Sequence, residues 1–80
     1  MKLNPIASNM TELVTTNVRI LFSYKTPVAA YHSGQYYKTS KHWSNTTSKH
    51  INKWLPCAAI ELPQEFFDEL ANKIDFSYKE

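Results

Sequence analysis

Residues 17–39 read NVRILFSYKTPVAAYHSGQYYKT, and this stretch decides the fold. Its first part places apolar or aromatic side chains at every second position: Val18, Ile20, Phe22 and Tyr24. The residues between them form the second set, which we expect to face away from the core: Arg19, Leu21, Ser23 and Lys25. A period of two is typical of a half-buried strand. The pattern predicts one strand over residues 14–25, and Pro27 then breaks the ladder or lies at an edge.

The second part of the stretch predicts a β-hairpin. Strands are expected over residues 28–32 and 35–39, on either side of Ser33-Gly34, which contains the only glycine of the chain. A two-residue loop with a glycine that tolerates positive φ is typical of a tight antiparallel turn. Because Gly34 has no glycine neighbours, a glycine-rich phosphate-binding loop is not expected.

A helix is predicted from residue 45 or 47 to residue 55, largely within WSNTTSKHINKW (43–54). Three hydroxyl side chains at its start are suitable N-caps: Ser44, Thr46 and Thr47. Three apolar residues then repeat at helical spacing before Pro56 ends the run: Ile51, Trp54 and Leu55. We expect the side chain of His50 to form a hydrogen bond with a strand instead of acting on a substrate.

A second helix is predicted over residues 63–73, with Pro63 in its first turn. Its apolar stripe includes Phe66, Leu70 and Ile74, which recur every four residues. Carboxylates near its start suit the positive end of the helix dipole. The segment between the helices, residues 57–62, is expected to be a short strand or an extended connector.

These elements predict an α+β fold: a three-stranded antiparallel sheet with two helices packed on one face, in the order β-β-β-α-(β)-α. We expect a single domain over residues 1–80, with residues 1–11 as a flexible arm and residues 76–80 as a fraying tail. Helix side chains are expected to pack on one set of strand side chains: Trp54, Leu55, Phe66, Leu70 and Ile74 on Val18, Ile20, Phe22 and Val28.

The charges are divided unevenly along the chain, although the net charge is only +2. Residues 13–60 contain five lysines and one arginine but no Asp or Glu, whereas residues 61–80 contain six acids and two lysines. A surface that only keeps a protein soluble usually mixes both signs. The acid-free stretch therefore indicates a positive surface, unless the acidic helix packs beside it and neutralises it.

Several classes of function are disfavoured by the residues present. The spacing of serines, histidines and the lone Cys57 suggests no nucleophile with a base beside it, so we expect no enzyme activity. His42, His50 and Cys57 are farther apart than the roughly two to five residues between ligands of structural zinc sites, so no metal and no cofactor are expected. No signal peptide or membrane-spanning stretch is expected, which favours the cytoplasm and excludes a membrane partner.

The basic middle of the chain also contains many aromatic rings, including Tyr31 and Tyr36. Such a surface can bind phosphates through lysines and stack bases on rings. The predicted binding residues are Arg19, Lys25, Tyr37, Lys38, Lys41, His42, Trp43, Lys49 and Lys53. The expected partner is nucleic acid or a protein complex that handles nucleic acid. A protein-binding inhibitor using aromatic anchors and a homodimer joined across an exposed strand are the alternatives.

Three segments occur in a recognisable order: TPVA (26–29), the glycine hairpin with YYKTS (36–40), and WSNTTSKHINKWL (43–55). In these segments, over residues 17–55, the chain resembles a family of short proteins of tailed bacteriophages and other mobile elements, described as a domain of unknown function. The resemblance implies no catalytic residue. It implies a setting, namely a small phage accessory protein in the cytoplasm of an infected bacterium. In that setting the expected partner is nucleic acid or a nucleic-acid-handling host complex, and the alternative is inhibition of a host defence or transcription factor.

Overall fold

The computed structural model describes residues 2–73, and it has an α+β architecture built on one six-stranded sheet. The strands are β1 (Lys2–Ala7), β2 (Met10–Val14), β3 (Val18–Ser23), β4 (Thr26–His32), β5 (Gln35–Thr39) and β6 (Ile60–Leu62). The helices are α1 (Asn45–Trp54), between β5 and β6, and α2 (Gln64–Lys73), after β6. The strands lie side by side in chain order; β1 to β5 are antiparallel neighbours, and β6 is parallel to β5.

The α+β class is confirmed, but the prediction of three strands is wrong. Residues 2–11, predicted to be an arm, form β1 and the start of β2. The strand predicted over residues 14–25 is shorter, because Val14 ends β2, a turn follows, and β3 covers Val18–Ser23. In that turn the Thr15 hydroxyl donates to the Val18 carbonyl at 3.1 Å and accepts from the Val18 N–H at 3.0 Å. A threonine side chain thus closes a turn that contains neither glycine nor proline.

The predicted hairpin and the short strand before α2 are both confirmed. Ser33 and Gly34 join β4 to β5 with φ of 53° and 78°. Positive φ at both loop residues matches the turn whose twist suits an antiparallel pair, and glycine adopts it without steric cost. Residues 60–62 add β6 beside β5, and the Ser40 N–H extends this pairing by donating to the Leu62 carbonyl at 2.9 Å.

The two helices cover opposite faces of the sheet, so the prediction that both pack on one face is wrong. Leu21 in β3 packs with Ile51 of α1. Its neighbours Ile20 and Phe22 pack with Ala71 of α2. Successive side chains of a strand point to opposite faces, so β3 is covered on both sides. Burial supports this, because Ile20 and Leu21 are fully buried and Phe22 is 2% exposed.

Helix α1 is held to the sheet by polar contacts at its start. Ser44 is its N-cap, and the Ser44 hydroxyl accepts from the Thr47 N–H at 3.1 Å, as predicted. The buried hydroxyl of Ser23 in β3 lies 3.0 Å from the Thr47 hydroxyl and 2.8 Å from Nδ1 of His50. The predicted hydrogen bond between His50 and a strand is therefore confirmed.

Helix α2 begins one residue after Pro63, and the Phe66 N–H donates to the Pro63 carbonyl at 3.0 Å. Its buried residues are Phe67 and Ala71, so the predicted helix over residues 63–73 is confirmed to within one residue. The predicted core contact of Ile74 and the predicted tail over residues 76–80 lie outside the described residues. Neither helix within residues 2–73 is long and apolar enough to cross a bilayer.

Candidate nucleic-acid interface

The sheet separates a basic helix from an acidic one. Lys49, Asn52 and Lys53 of α1 are exposed, while Thr47 and Ile51 on the other side of that helix are buried against the sheet. Helix α2 also has exposed charged side chains, and most of them are negative. Three are carboxylates, Glu65, Asp68 and Glu69, and one is a cation, Lys73. We call the face of the sheet that carries α1 the α1 side and the other face the α2 side. The carboxylates of α2 are therefore on the opposite side of the sheet from the lysines of α1.

A row of five side chains crosses the α1 side of the sheet. Lys2, Val14, Arg19, Tyr31 and Tyr36 are successive partners in the registers of β1 to β5. Directly paired residues on neighbouring strands have their side chains on the same face. The Arg19 guanidinium carbon lies 5.6 Å from the Tyr31 ring centroid, and the Tyr31 and Tyr36 centroids are 4.6 Å apart. Along this line, two cations separated by one small apolar residue are followed by two aromatic rings.

The two carboxylates on the α1 side in residues 2–73 both have partners. The Trp54 indole N–H donates to the Glu12 carboxylate at 3.1 Å, and the Trp54 ring meets the Tyr36 ring edge-on at 5.7 Å between centroids. Glu61 pairs with Lys38 at 3.9 Å across β5 and β6, and both side chains are solvent-accessible, so the pair is weak. Positive charge on this side is therefore only partly offset.

Trp43 is an exposed ring held in one orientation, between β5 and α1. Its indole N–H donates to Gln64 Oε1 at 3.0 Å, and the Lys41 ammonium lies 4.1 Å from its ring centroid. Gln64 Oε1 also accepts from the Thr39 hydroxyl at 2.8 Å, and Gln64 Nε2 donates to the Pro27 carbonyl at 2.7 Å. One amide at the start of α2 therefore joins β4, β5 and the segment that carries Trp43.

The nine predicted binding residues fall into three places. Four belong to the α1 side: Arg19, Lys38, Lys49 and Lys53. Four follow β3 or β5 at the end of the sheet where these two strands finish: Lys25, Lys41, His42 and Trp43. The ninth, Tyr37, lies on the α2 side, where its ring is 5.6 Å from that of Phe66, between centroids. Eight of the nine therefore divide equally between the α1 side and one end of the sheet. Tyr37 lies apart from them, on the α2 side.

Two contributors were missed by the sequence reasoning. Lys2 falls within the predicted flexible arm, and only the register of β1 places it in the row with Arg19. Gln64 falls within the predicted second helix and is not among the predicted binding residues, although its amide accepts from the Trp43 indole N–H. A glutamine directly after the proline that opens a helix carries no signal of such a role, because three of its partners lie 21, 25 and 37 positions earlier in the chain.

The remaining reactive side chains do not converge. Cys57 is a free, exposed thiol in the connection between α1 and β6. Within the described stretch, no three side chains of His, Cys, Asp or Glu are grouped closely enough to hold a metal ion.

Comparison with known proteins yields one match. No curated protein sequence and no solved structure matches the chain significantly. The model of a family of unknown function, DUF8033, matches residues 1–69. The matched residues include all six strands, α1 and the first half of α2. The chain therefore belongs to this family of unknown function, DUF8033.

Proposed function

We propose that the chain is a non-enzymatic binding protein whose α1 side contacts nucleic acid. One observation carries the proposal: the six-stranded sheet lies between the lysines of α1 and the carboxylates of α2. The sequence alone left open whether the acidic helix neutralises the basic surface. With the helices on opposite faces, Lys49 and Lys53 are exposed on a side where Arg19 and Lys2 are exposed too.

Charge of this distribution suits a polyanion. A nucleic acid that approaches the α1 side meets cations from the sheet and from the helix, while the negative helix stays on the far side. Phosphate neutralisation by such cations releases condensed counterions, and this release supplies most of the affinity of non-specific binding. The exposed Asn52 between the two lysines adds a neutral hydrogen-bonding group to the same helix face.

The proposed biological setting is that of a small accessory protein of a tailed bacteriophage or related mobile element, acting in the cytoplasm of its bacterial host. It is supported by the resemblance of residues 17–55. Small proteins in that setting have nucleic acids and nucleic-acid-handling complexes of the host within reach.

Salt dependence of binding tests the proposal. Fluorescence anisotropy would measure the Kd of the whole protein for a labelled duplex and a labelled single strand between roughly 50 and 200 mM salt. We expect binding of both at low salt, with log K falling linearly against log salt, at a slope of roughly −0.9 per neutralised phosphate on duplex DNA and roughly −0.7 on a single strand. Absence of binding to either at the lowest salt concentration contradicts the proposal.

A second candidate function is protein binding with Trp43 as an anchor. Trp43 is 41% exposed, yet its side chain contacts both Gln64 and Lys41. Exposed tryptophans of this kind are enriched among residues that dominate protein interfaces. Capture of one defined host protein that survives nuclease treatment and is lost on Trp43→Ala, with no measurable affinity for nucleic acid, would favour this candidate.

A further inference from the structure

We propose that the row formed by Lys2, Val14, Arg19, Tyr31 and Tyr36 is a site for single-stranded nucleic acid. In this site unpaired bases stack on Tyr31 and Tyr36, while Lys2 and Arg19 hold phosphates. The inference rests on the proposed function and deepens it, because it names the form of nucleic acid and the residues that select it.

The first support is the covering of the rings. Tyr36 and Tyr37 are neighbours in β5 and point to opposite faces. The Tyr37 ring is covered by Phe66 of α2. Tyr31 and Tyr36 are only half-buried, and the ring contacts found for them in residues 2–73 are with each other, with Arg19 and with Trp54 at the last residue of α1. Of the residues of α1, Trp54 meets the Tyr36 ring edge-on, and both tyrosines remain half-buried, so part of each residue is accessible to a ligand.

The second support is the order of charges and rings along the row. Neighbouring strands lie roughly 4.8 Å apart, so Lys2 and Arg19 are about 10 Å apart at the backbone, as are Arg19 and Tyr36. Both cations are exposed, and Arg19 is held over Tyr31. An arginine that lies over part of an aromatic ring can bind a phosphate while the exposed remainder of the ring stacks on the base attached to it.

The third support is the chemistry of stacking. Bases in a duplex are stacked on their neighbours and paired, so their faces are not available to a protein ring. Unpaired bases can stack on tyrosine, and this interaction tolerates any sequence. A site made of lysines alone would instead prefer the duplex, which has the higher charge density and the steeper dependence on counterion release. Preference for a single strand therefore reports on the rings and not on the cations.

The test compares labelled oligodeoxyuridine and oligouridine strands of about 12 nucleotides with a duplex of the same length, at one salt concentration. We expect the wild-type protein to bind at least one single strand about tenfold more tightly than the duplex. Tyr31→Leu and Tyr36→Leu should each weaken single-strand binding about tenfold and change duplex binding less than about twofold. Comparison of the two strands shows whether the 2′-hydroxyl contributes.

Matched variants separate stacking from folding. Tyr36→Phe keeps the ring and should keep single-strand affinity. Tyr37→Leu changes the adjacent tyrosine on the α2 side and should leave the preference for single strands unchanged. As a measurement that needs no variant, a bromodeoxyuridine strand would be photo-crosslinked to the wild-type protein, and the attachment site identified by mass spectrometry. We expect attachment at Tyr31 or Tyr36.

The outcomes distinguish the two proposals. Salt-dependent binding with equal affinity for both forms, or crosslinks confined to Trp43, overturns the stacking site and leaves the proposed function standing. No binding of any strand or duplex at low salt overturns the proposed function itself. A preference for single strands that survives Tyr31→Leu and Tyr36→Leu in folded protein places the stacking elsewhere and refutes the site.

Discussion

The imidazole Nδ1 of His50 lies 2.8 Å from the hydroxyl oxygen of Ser23, and this contact joins α1 to β3. Ser23 is 1% exposed and also lies 3.0 Å from the Thr47 hydroxyl. Thr47 in turn accepts from the Ser44 hydroxyl at 3.2 Å. Four polar side chains, one from β3 and three from the first part of α1 and its N-cap, therefore satisfy one another. Two of them, Ser23 and Thr47, are buried.

Removal of the Ser23 hydroxyl should destabilise the fold without changing its shape. Ser23→Ala leaves the Thr47 hydroxyl and the His50 imidazole without their shared partner. An unsatisfied buried polar group costs about 1–3 kcal/mol, and we expect a loss of that size in the free energy of unfolding. Urea denaturation followed by circular dichroism measures it, with an unchanged m-value as the sign that only stability has changed.

Ser40→Ala is the matched control, since Ser40 is exposed and its N–H, not its side chain, bonds to Leu62. Its effect should stay within about 0.5 kcal/mol. An equal loss for Ser23→Ala and Ser40→Ala would show that the buried polar chain contributes nothing particular.

The hairpin and the start of α1 could be predicted because local chemistry determines them. Gly34 in a two-residue loop and Ser44 before a helical pattern each act on backbone groups within a few residues. The placement of β3 could not be predicted so directly. The alternation assigns Leu21 to the same face as the polar residues Arg19 and Ser23. The three consecutive apolar residues 20–22, however, are consistent with a strand covered on both faces.

Strand β1 carried almost no readable signal, because five of its six residues are exposed and only Asn4 is half-buried. A strand with no buried face has no hydrophobic period, and β1 is specified instead by its pairing with β2. The candidate site depended on the same information. Composition showed that acids are missing from residues 13–60, but only the register decides that Tyr36 and not Tyr37 joins the row with Arg19.

Loss of the Gln64 amide should loosen Trp43 as well as destabilise the protein. Gln64→Ala removes the acceptor of the Thr39 hydroxyl and of the Trp43 indole, and the donor to the Pro27 carbonyl. We expect a loss of about 2 kcal/mol in the free energy of unfolding, together with a lower fluorescence anisotropy of Trp43. The fluorescence would be recorded in protein carrying Trp54→Phe, so that Trp43 is the only emitter.

Asn52→Ala provides the comparison, because it removes an exposed amide from α1. It should change neither the stability by more than about 0.5 kcal/mol nor the anisotropy of Trp43. Unchanged anisotropy in the Gln64→Ala protein would show that Lys41 or the backbone, and not the amide, orients the ring.

Charge removal on α1 should reduce the salt dependence of nucleic-acid binding, whereas the same change on α2 should not. Lys49→Gln and Lys53→Gln each delete one exposed cation from the α1 side, and both replacements are good helix formers. For each, the slope of log K against log salt on duplex DNA should become shallower by about 0.9 or less. Lys73→Gln removes an exposed cation from α2 and should leave the slope unchanged. Equal slopes for all three variants would mean that the bound surface is not the α1 side.

Neutralisation of Glu12 should strengthen nucleic-acid binding while the fold is retained. Glu12 pairs directly with Leu21 in the row next to that of Val14 and Arg19, roughly 7 Å further along the strands, so its charge opposes a phosphate held by Arg19. Glu12→Gln keeps an oxygen that can accept from the Trp54 indole, whose bond to Glu12 is 3.1 Å long. At roughly 7 Å and in the dielectric of water the repulsion is about 0.6 kcal/mol, so affinity should rise about threefold at low salt and less at high salt. Glu69→Gln neutralises an exposed carboxylate of α2 and separates the local effect from a general change in net charge. Since both variants raise the net charge equally, a gain confined to Glu12→Gln locates the bound polyanion on the α1 side. An equal gain from both would reduce the effect to the overall charge of the molecule.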